Sequence, residues 1–112
     1  MFLQGSKVAS YMIGVYDSTK AALDALTRSM AVELGKYNIR VNSVNPTMFA
    51  SDMSKNFLAN NPDGGADFQK RVPLKRLVNP DEIVNTILFV LSNKAEMINA
   101  STLVIDGGYT AN

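Results

Sequence analysis

Helical and extended segments alternate along this chain, and their order constrains the fold more than any other feature. Residues 16–34 lack proline and glycine and repeat apolar side chains at helical spacing, which predicts a long helix. Residues 39–44 alternate apolar and polar side chains before Asn45 and Pro46, which predicts a strand. A second helix is expected from residue 80 and a second strand at residues 102–105. Because strands separated by helices usually join in parallel, this order predicts an α/β fold.

The long helix is expected to bury two faces. One face is large and apolar and the other is made of smaller side chains; they comprise Leu23, Leu26, Met30 and Leu34, and Ala22, Ala25, Ser29 and Val32. A helix that is apolar on two sides needs two covering surfaces, such as a sheet and another helix. Two strands alone do not make a stable parallel sheet, because parallel strands are normally flanked by neighbours and covered on both faces. We therefore expect the chain to be part of a larger sheet protein.

The segment between the first strand and the second helix is long and mixed in character. Short helices are expected near residues 54–60 and 66–71, within a connection of a length that is usually functional or mobile. The sequence Asn79-Pro80-Asp81-Glu82 predicts a helix start, because it combines a capping side chain, a proline in the first turn and two acids at the positive end of the helix dipole. The core face of that helix is expected to consist of Ile83, Ile87, Val90 and Leu91.

The composition excludes several classes of function. The chain has 112 residues without cysteine or histidine, so it offers no disulfide, thiol nucleophile, imidazole or thiolate zinc ligand, or histidine-dependent triad. Its net charge of +1 gives no electrostatic basis for binding nucleic acid or an acidic membrane. The longest apolar run is far shorter than a membrane span, and the first residues lack the apolar core of a signal peptide. We therefore expect a cytoplasmic protein.

Tyr16 and Lys20 are the candidate chemical pair. Residues four apart lie on the same side of a helix, so the phenol and the ammonium group are expected to be close together. A phenol titrates near pH 10, and a nearby cation stabilises the phenolate and moves the pKa of the phenol towards neutrality. Such a pair suits proton transfer to a carbonyl oxygen or from an alcohol. The spacing alone is better explained by a tyrosine packed on its helix beside a solvated lysine.

Several stretches of the sequence resemble the short-chain dehydrogenase/reductase family, in the order and spacing that the family uses. They are Tyr16-Asp17-Ser18-Thr19-Lys20-Ala21-Ala22-Leu23, Ala31-Val32-Glu33-Leu34-Gly35, Ile39-Arg40-Val41-Asn42-Ser43-Val44-Asn45-Pro46, Pro73-Leu74-Lys75-Arg76 and Asp106-Gly107-Gly108-Tyr109. Within the family, the chain is most similar to the dicarbonyl and L-xylulose reductase branch. The resemblance implies the C-terminal portion of a Rossmann-type doubly wound parallel sheet whose N-terminal nucleotide-binding half is absent, so residues 1–112 would form one partial domain.

The resemblance also implies a role for individual residues. Tyr16 would be the catalytic acid/base, and Lys20 would lower its pKa and hydrogen-bond the nicotinamide ribose. Pro46 to Ser51 would lie beside the nicotinamide, where backbone groups near Met48 would hold the carboxamide and Ser51 offers a hydroxyl. Residues 52–71 would be the substrate lid; the alternative is a surface excursion without specificity. The cofactor would be NADP or NAD, with NADPH favoured by the branch.

Two parts of the family's machinery are missing from the expected places. The position of the family's catalytic serine is occupied by Leu3, and Ser6 and Ser10 do not have the required spacing. The glycine-rich turn that approaches the pyrophosphate is absent, since Gly107 and Gly108 are better explained as a turn. Because that anchor is missing, we expect no measurable affinity of the isolated chain for NADH or NADPH.

Two functions of different classes follow from these observations. The first is an oxidoreductase portion that acts with NAD(P)(H) on the carbonyl or alcohol group of a small substrate or sugar, within a homo-oligomeric parent that is a dimer or a tetramer. The second is an inactive fragment that associates with full-length relatives and alters their assembly. An incomplete gene product without an independent role is a third interpretation.

Overall fold

Four helices and two strands make up the fold in this computed structural model, which describes residues 14–111. The elements in chain order are α1 Gly14–Leu34, β1 Ser43–Pro46, α2 Asp52–Asn60, α3 Pro62–Arg71, α4 Pro80–Leu91 and β2 Thr102–Ile105. Short 3-10 turns follow α1, α4 and β2, at Gly35–Tyr37, Asn93–Ala95 and Tyr109–Ala111. The expected order of helix, strand, short helices, helix and strand is therefore confirmed. Small and polar residues such as Gly5, Ser6 and Ser10 predict a loop over residues 1 to about 12, which lie outside the described residues.

The two strands form a parallel sheet. Ser43 lies opposite Thr102 and Pro46 opposite Ile105, so β1 and β2 run side by side over their full length. A single parallel bridge between Phe49 and Val78 continues the pairing beyond the end of β1. Within the described residues the sheet has these two strands only. It is therefore as small as the sequence predicts, and it confirms the parallel α/β arrangement.

The first strand begins later than its alternating pattern predicts. Residues 39–42 precede β1, and Asn38 has the left-handed φ of 60° that turns the chain after α1. The Arg40 guanidinium donates hydrogen bonds to the carbonyl oxygens of Val90, Ser92 and Ile98, at 2.7, 3.4 and 3.2 Å. The side chain thus satisfies carbonyl groups at the C-terminal end of α4. The prediction of a strand from residue 39 is wrong because side chains take the place of ladder bonds before Ser43. The Val41 backbone N–H donates to the Asn99 side-chain oxygen at 2.9 Å, and the Asn42 side-chain oxygen accepts from the Ser101 backbone N–H at 3.0 Å.

Helix α1 buries a third face rather than the two that its apolar pattern predicts. Leu23, Leu26 and Met30 are exposed, as is Val32 on the small-residue face. The buried residues are Asp17, Asp24, Thr27 and Ala31, which recur at intervals of three, four and seven. Asp24 on this face accepts a hydrogen bond from Ser43 of β1 and contacts the Asn45 amide, whereas no element among residues 14–111 covers the apolar faces.

Helix α4 begins as predicted. The Asn79 side chain accepts a hydrogen bond from the Asp81 backbone N–H at 3.1 Å, and the Glu82 carboxylate accepts one from the Asn79 backbone N–H at 2.8 Å. This reciprocal arrangement is a capping box. Hydrogen bonds from Arg76, and then that from Asn79, lower the pKa of Glu82 to about 2. Of the expected core face only Val90 is fully buried, since Ile87 and Leu91 are exposed.

The best-packed apolar cluster lies between α3 and the segment that follows β1. Met48, Phe68 and Val72 form it, with Leu58, Leu77 and Tyr109 packed around them. The two short helices thus attach to the sheet mainly through one face of α3. No helix among residues 14–111 has both the length and the apolarity that a membrane crossing requires.

Candidate functional site

The structure brings Tyr16 and Lys20 together on the first two turns of α1. The Lys20 Nζ atom lies over the aromatic ring, 5.3 Å from its centroid, which is the geometry of a cation–π contact. Tyr16 is half-buried, and its hydroxyl oxygen is buried without a hydrogen-bond partner in the described part of the chain. A buried hydroxyl is normally hydrogen-bonded, so this atom is a candidate for contact with a bound molecule.

The electrostatic surroundings of Tyr16 differ from those that the resemblance implies. Burial raises the pKa of the Tyr16 phenol, and the negative charge of the neighbouring Asp17 raises it further. The Lys20 ammonium lies over the ring, and it does not outweigh these two effects. The pKa of Tyr16 is therefore shifted in the direction opposite to the one that the resemblance implies.

Asp24 connects α1 to β1 and was missed by the sequence reasoning. Its carboxylate accepts a hydrogen bond from the Ser43 hydroxyl at 3.0 Å and contacts the Asn45 side-chain amide at 3.4 and 3.5 Å. Asp24 is only 4% exposed, so these bonds lie in the interior. Asp17, Asp24 and Thr27 recur at helical spacing between the two apolar faces. This polar stripe was the available sequence signal for a buried polar contact on α1.

The segment expected beside the nicotinamide follows directly from β1. Pro46, Thr47 and Met48 are buried, and the Thr47 backbone N–H donates to the Ile105 carbonyl at 3.0 Å. The Met48 carbonyl accepts from the Val78 backbone N–H at 3.3 Å, while the Met48 side chain belongs to the apolar cluster. The backbone of this segment is therefore fixed on both sides, by β2 and by the residues before α4.

Two hydroxyl groups in this segment have different surroundings. Ser51 is the N-cap of α2, where its side chain accepts from the Ser54 backbone N–H at 3.2 Å. The Thr47 hydroxyl is fully buried and has no hydrogen-bond partner among the described residues. Ser51 thus already has a structural role, whereas Thr47 has a buried hydroxyl without a partner in the described chain. Thr47 lies within the predicted segment from Pro46 to Ser51, but no role was predicted for its side chain. A buried threonine beside a proline gives no sequence signal that its hydroxyl lacks a partner.

The predicted site residues therefore fall into two groups on connected elements. Tyr16 and Lys20 lie at the start of α1, and Pro46, Met48 and Ser51 lie beyond the end of β1. The Asp24 hydrogen bonds join the two elements, although no hydrogen bond connects the Tyr16 hydroxyl to the second group. Leu3, Ser6 and Ser10, considered for the position of the catalytic serine, lie outside the described residues. Gly107 and Gly108 have φ values of 59° and 89° and form the turn that was expected of them.

Known proteins resemble this chain in both sequence and structure. The family model described as "Enoyl-(Acyl carrier protein) reductase" matches residues 2–110. L-xylulose reductase of Caenorhabditis elegans is 49% identical, over 88% of this chain and 39% of the relative. Carbonyl reductase [NADPH] 2 of Sus scrofa is 38% identical, over 88% of this chain and 40% of the relative. The crystal structure of a short chain dehydrogenase family protein from Francisella tularensis superposes with a TM-score of 0.86 at 31% identity.

The extent of these matches agrees with the expected fold class. The Francisella comparison covers 97% of this chain and 48% of that protein. The chain spans about two fifths of the length of the two curated relatives, as expected of the C-terminal portion of a doubly wound sheet. The family match extends over nearly all residues and includes both groups of candidate site residues. The chain therefore belongs to the short-chain dehydrogenase/reductase family.

Proposed function

We propose that this chain provides the proton-transferring pair of an NAD(P)(H)-dependent oxidoreductase that reduces a carbonyl group to an alcohol, or catalyses the reverse oxidation. The observation that carries the proposal is the buried Tyr16 hydroxyl, which lacks a hydrogen-bond partner in the described chain beside the Lys20 ammonium. A carbonyl oxygen that accepts from this hydroxyl would remove the cost of leaving it buried and unpaired. Membership of the family supports the same assignment.

Tyr16 is proposed to donate its proton to the carbonyl oxygen during reduction. The raised pKa keeps the phenol protonated at neutral pH, which is the form that a proton donor requires. The developing alkoxide is a far stronger base than a phenolate, so the transfer is favourable even from a weakly acidic phenol. The Lys20 ammonium then stabilises the phenolate that is left behind. In the oxidative direction the same two groups act in reverse.

The cofactor is proposed to be NADPH, with NADH as the alternative. When bound, the dihydronicotinamide supplies the hydride that the carbonyl carbon accepts. The unpaired Tyr16 hydroxyl and Thr47 hydroxyl fit a polar molecule that completes their hydrogen bonding. Lys20, Pro46 and Met48 would hold the nicotinamide end, whereas the Ser51 hydroxyl is engaged at the start of α2. NADPH appears in the name of the porcine relative, and this supports the choice.

The substrate is proposed to be a small ketose or dicarbonyl compound. The support comes from the 49% identity to the L-xylulose reductase of C. elegans. Helices α2 and α3 would cover that substrate, since they follow the segment proposed to hold the nicotinamide. Residues 1–112 would form one partial domain of the oxidoreductase, which would be a homo-oligomer.

A second candidate function is that of an inactive partner of full-length relatives. It is favoured by the exposed apolar side chains on α1 and α4, among them Leu23, Leu26, Val32, Leu88 and Leu91. Apolar surface of this extent usually marks a site of association. Mixing the chain with a full-length relative distinguishes the two functions: co-sedimentation with reduced activity favours the partner role.

The primary proposal is tested by joining residues 14–112 of this chain to the part of the C. elegans L-xylulose reductase that precedes the position corresponding to residue 14. We expect the joined protein to reduce L-xylulose with NADPH, because the relative contributes the nucleotide-binding turn and the serine. The matched control is the relative's own part without this chain. If the joined protein folds and binds NADPH without turnover, the proposed role of Tyr16 and Lys20 is wrong.

A further inference from the structure

The turn after β2, residues 106–111, is held in shape by hydrogen bonds between its own residues. The Asp106 carboxylate accepts hydrogen bonds from the Gly108 N–H at 2.9 Å, the Thr110 N–H at 2.8 Å and the Thr110 hydroxyl at 2.7 Å. The positive φ values of Gly107 and Gly108 fold the backbone back beneath this carboxylate. The turn is therefore pre-shaped by its own bonds.

This turn packs against the C-terminal end of α3 and the residues that follow it. The Tyr109 ring stacks on Phe68 with a centroid distance of 5.2 Å, and the Arg71 guanidinium carbon lies over the Tyr109 ring at 4.6 Å. The Leu74 backbone N–H donates to the Gly107 carbonyl at 3.3 Å. Stacked aromatic pairs and cation–π contacts both stabilise beyond the area they bury.

The fit between the turn and residues 72–74 leaves no spare room. A Cβ atom on Gly107 would lie 2.9 Å from Val72 Cγ1, and one on Gly108 would lie 2.9 Å from Pro73 Cγ. Both distances are shorter than real Cβ contacts, so the glycines permit an approach that other residues would prevent. The turn and residues 72–74 are therefore in close van der Waals contact at both glycines.

Few residues of the helices α2 and α3 are buried in the described part of the chain. Among their residues only Ser54, Gly65 and Phe68 are buried, and the ion pair between Asp52 and Lys55 is exposed. Phe68 is the residue that the Tyr109 ring covers. The turn therefore covers Phe68, the side chain of α3 that belongs to the apolar cluster with Met48 and Val72. A segment with few buried contacts opens more readily than the core.

We propose that residues 106–111 form an intramolecular latch, which is a segment whose contacts with Phe68 and residues 72–74 hold α2 and α3 against the segment that follows β1. Release of Tyr109 from Phe68 frees the two helices to move while the sheet stays intact. The helices are called a substrate cover only on the basis of the proposed function, and the latch itself requires no substrate. Tyr109 is a positioning residue in this arrangement.

The test is amide hydrogen exchange on the full chain, which requires no cofactor. The α3 probes are the N–H groups of Gly65 and Val72, which bond Asn61 and Phe68; the sheet probes are those of Ser43 and Thr47, which bond Ser101 and Ile105. We expect Tyr109→Ala to speed exchange at the α3 probes on the order of tenfold, since it removes the stacked pair. The sheet probes should change by less than about twofold. Tyr109→Phe keeps the ring and should leave all four probes unchanged.

Two results would overturn the latch. One is unchanged exchange at the α3 probes in Tyr109→Ala, and the other is an equal increase at both sets, since the turn would then be part of a single cooperative core. If Tyr109→Ala does not fold, Gly108→Ala is measured in its place and judged by the same two criteria, because its Cβ pushes the turn away from Pro73. Failure of the joined protein to reduce L-xylulose leaves these exchange results unaffected, so the two proposals fail separately.

Discussion

Two tyrosine–lysine pairs lie at opposite ends of α1, and their surroundings differ. At the start of the helix the Lys20 Nζ atom is 5.3 Å from the centroid of the Tyr16 ring. In the 3-10 turn after its end the Lys36 Nζ atom is 4.9 Å from the centroid of the Tyr37 ring. The Tyr16 hydroxyl is buried without a partner in the described chain, whereas Tyr37 is 63% exposed. Proximity of ammonium and ring is common to both, and burial distinguishes them.

The comparison shows why a spacing cannot by itself identify a catalytic pair. An exposed phenol exchanges protons with water, and a cation beside it is screened by solvent. A phenol whose hydroxyl is removed from water must find its partner in the protein or in a bound molecule. The Tyr37 pair therefore serves as an internal control for every statement about the Tyr16 pair.

The largest expected effect comes from Tyr16→Phe in the joined protein. We expect NADPH-dependent reduction to fall on the order of 10²–10⁴-fold, because the ring remains and only the transferable proton is lost. NADPH binding, measured by fluorescence, should be nearly unchanged. Tyr37→Phe is the matched control and should retain full activity. Near-normal turnover of Tyr16→Phe would show that the two tyrosines are equivalent and that the assignment is wrong.

We expect Lys20 and Lys36 to differ as the two tyrosines do, but the loss of turnover should be smaller. Lys20→Met is expected to weaken NADPH binding on the order of tenfold or more and also to slow turnover, because a charge-assisted hydrogen bond contributes about 1.5–3 kcal/mol. Lys36→Met removes the same charge from the exposed pair and should change neither quantity. Steady-state kinetics with a separate binding titration resolves the two effects. Equal losses in both variants would indicate a general effect of net charge.

Asp24 explains how the middle of α1 is held against the sheet, and its removal should affect stability. Asp24→Ala leaves the Asn45 amide without an acceptor that it contacts in the interior, so we expect the free energy of unfolding to fall by about 1–3 kcal/mol. Glu33→Ala, at an exposed position of the same helix, should change it by less than about 0.5 kcal/mol. Urea denaturation followed by circular dichroism measures both. Equal values would mean that Asp24 does not anchor the helix.

The parts of the fold that the sequence predicted best are those fixed by local chemistry. The helix start at residues 79–82 depends on four consecutive residues and is confirmed, and the structure adds a capping box between Asn79 and Glu82. The strand expected from residue 39 did not form, because the side chains of Asn42 and Asn99 bond backbone N–H groups that lie 59 and 58 residues away along the chain. Such a long-range bond leaves no trace in the local alternation of apolar and polar side chains.

The same distinction applies to the candidate site. The spacing of Tyr16 and Lys20 placed the two side chains together, since one helical turn is a local relation. The direction of the shift in the pKa of Tyr16 was not predictable, because its larger cause is burial, which depends on the folded structure. The Asp24 bonds were missed for a similar reason: they join residues that are about twenty positions apart.

The smallest expected effect is on the titration of the Tyr16 phenol, followed by the NMR signal of its ring carbon Cζ. We expect Tyr16 to titrate at higher pH in the folded chain than in the urea-unfolded chain, because burial and then Asp17 raise its pKa. Since the folded state holds this proton more tightly, stability should fall as the pH rises above about 10, where the unfolded phenol ionises. Tyr16→Phe should lack this loss of stability at alkaline pH, whereas Tyr37→Phe should retain it.

Asp17→Asn should lower the pKa of Tyr16 only in part, because burial, the larger cause, remains. A Tyr16 that titrates identically in the folded and the unfolded chain would remove the distinction between the buried pair and the exposed one.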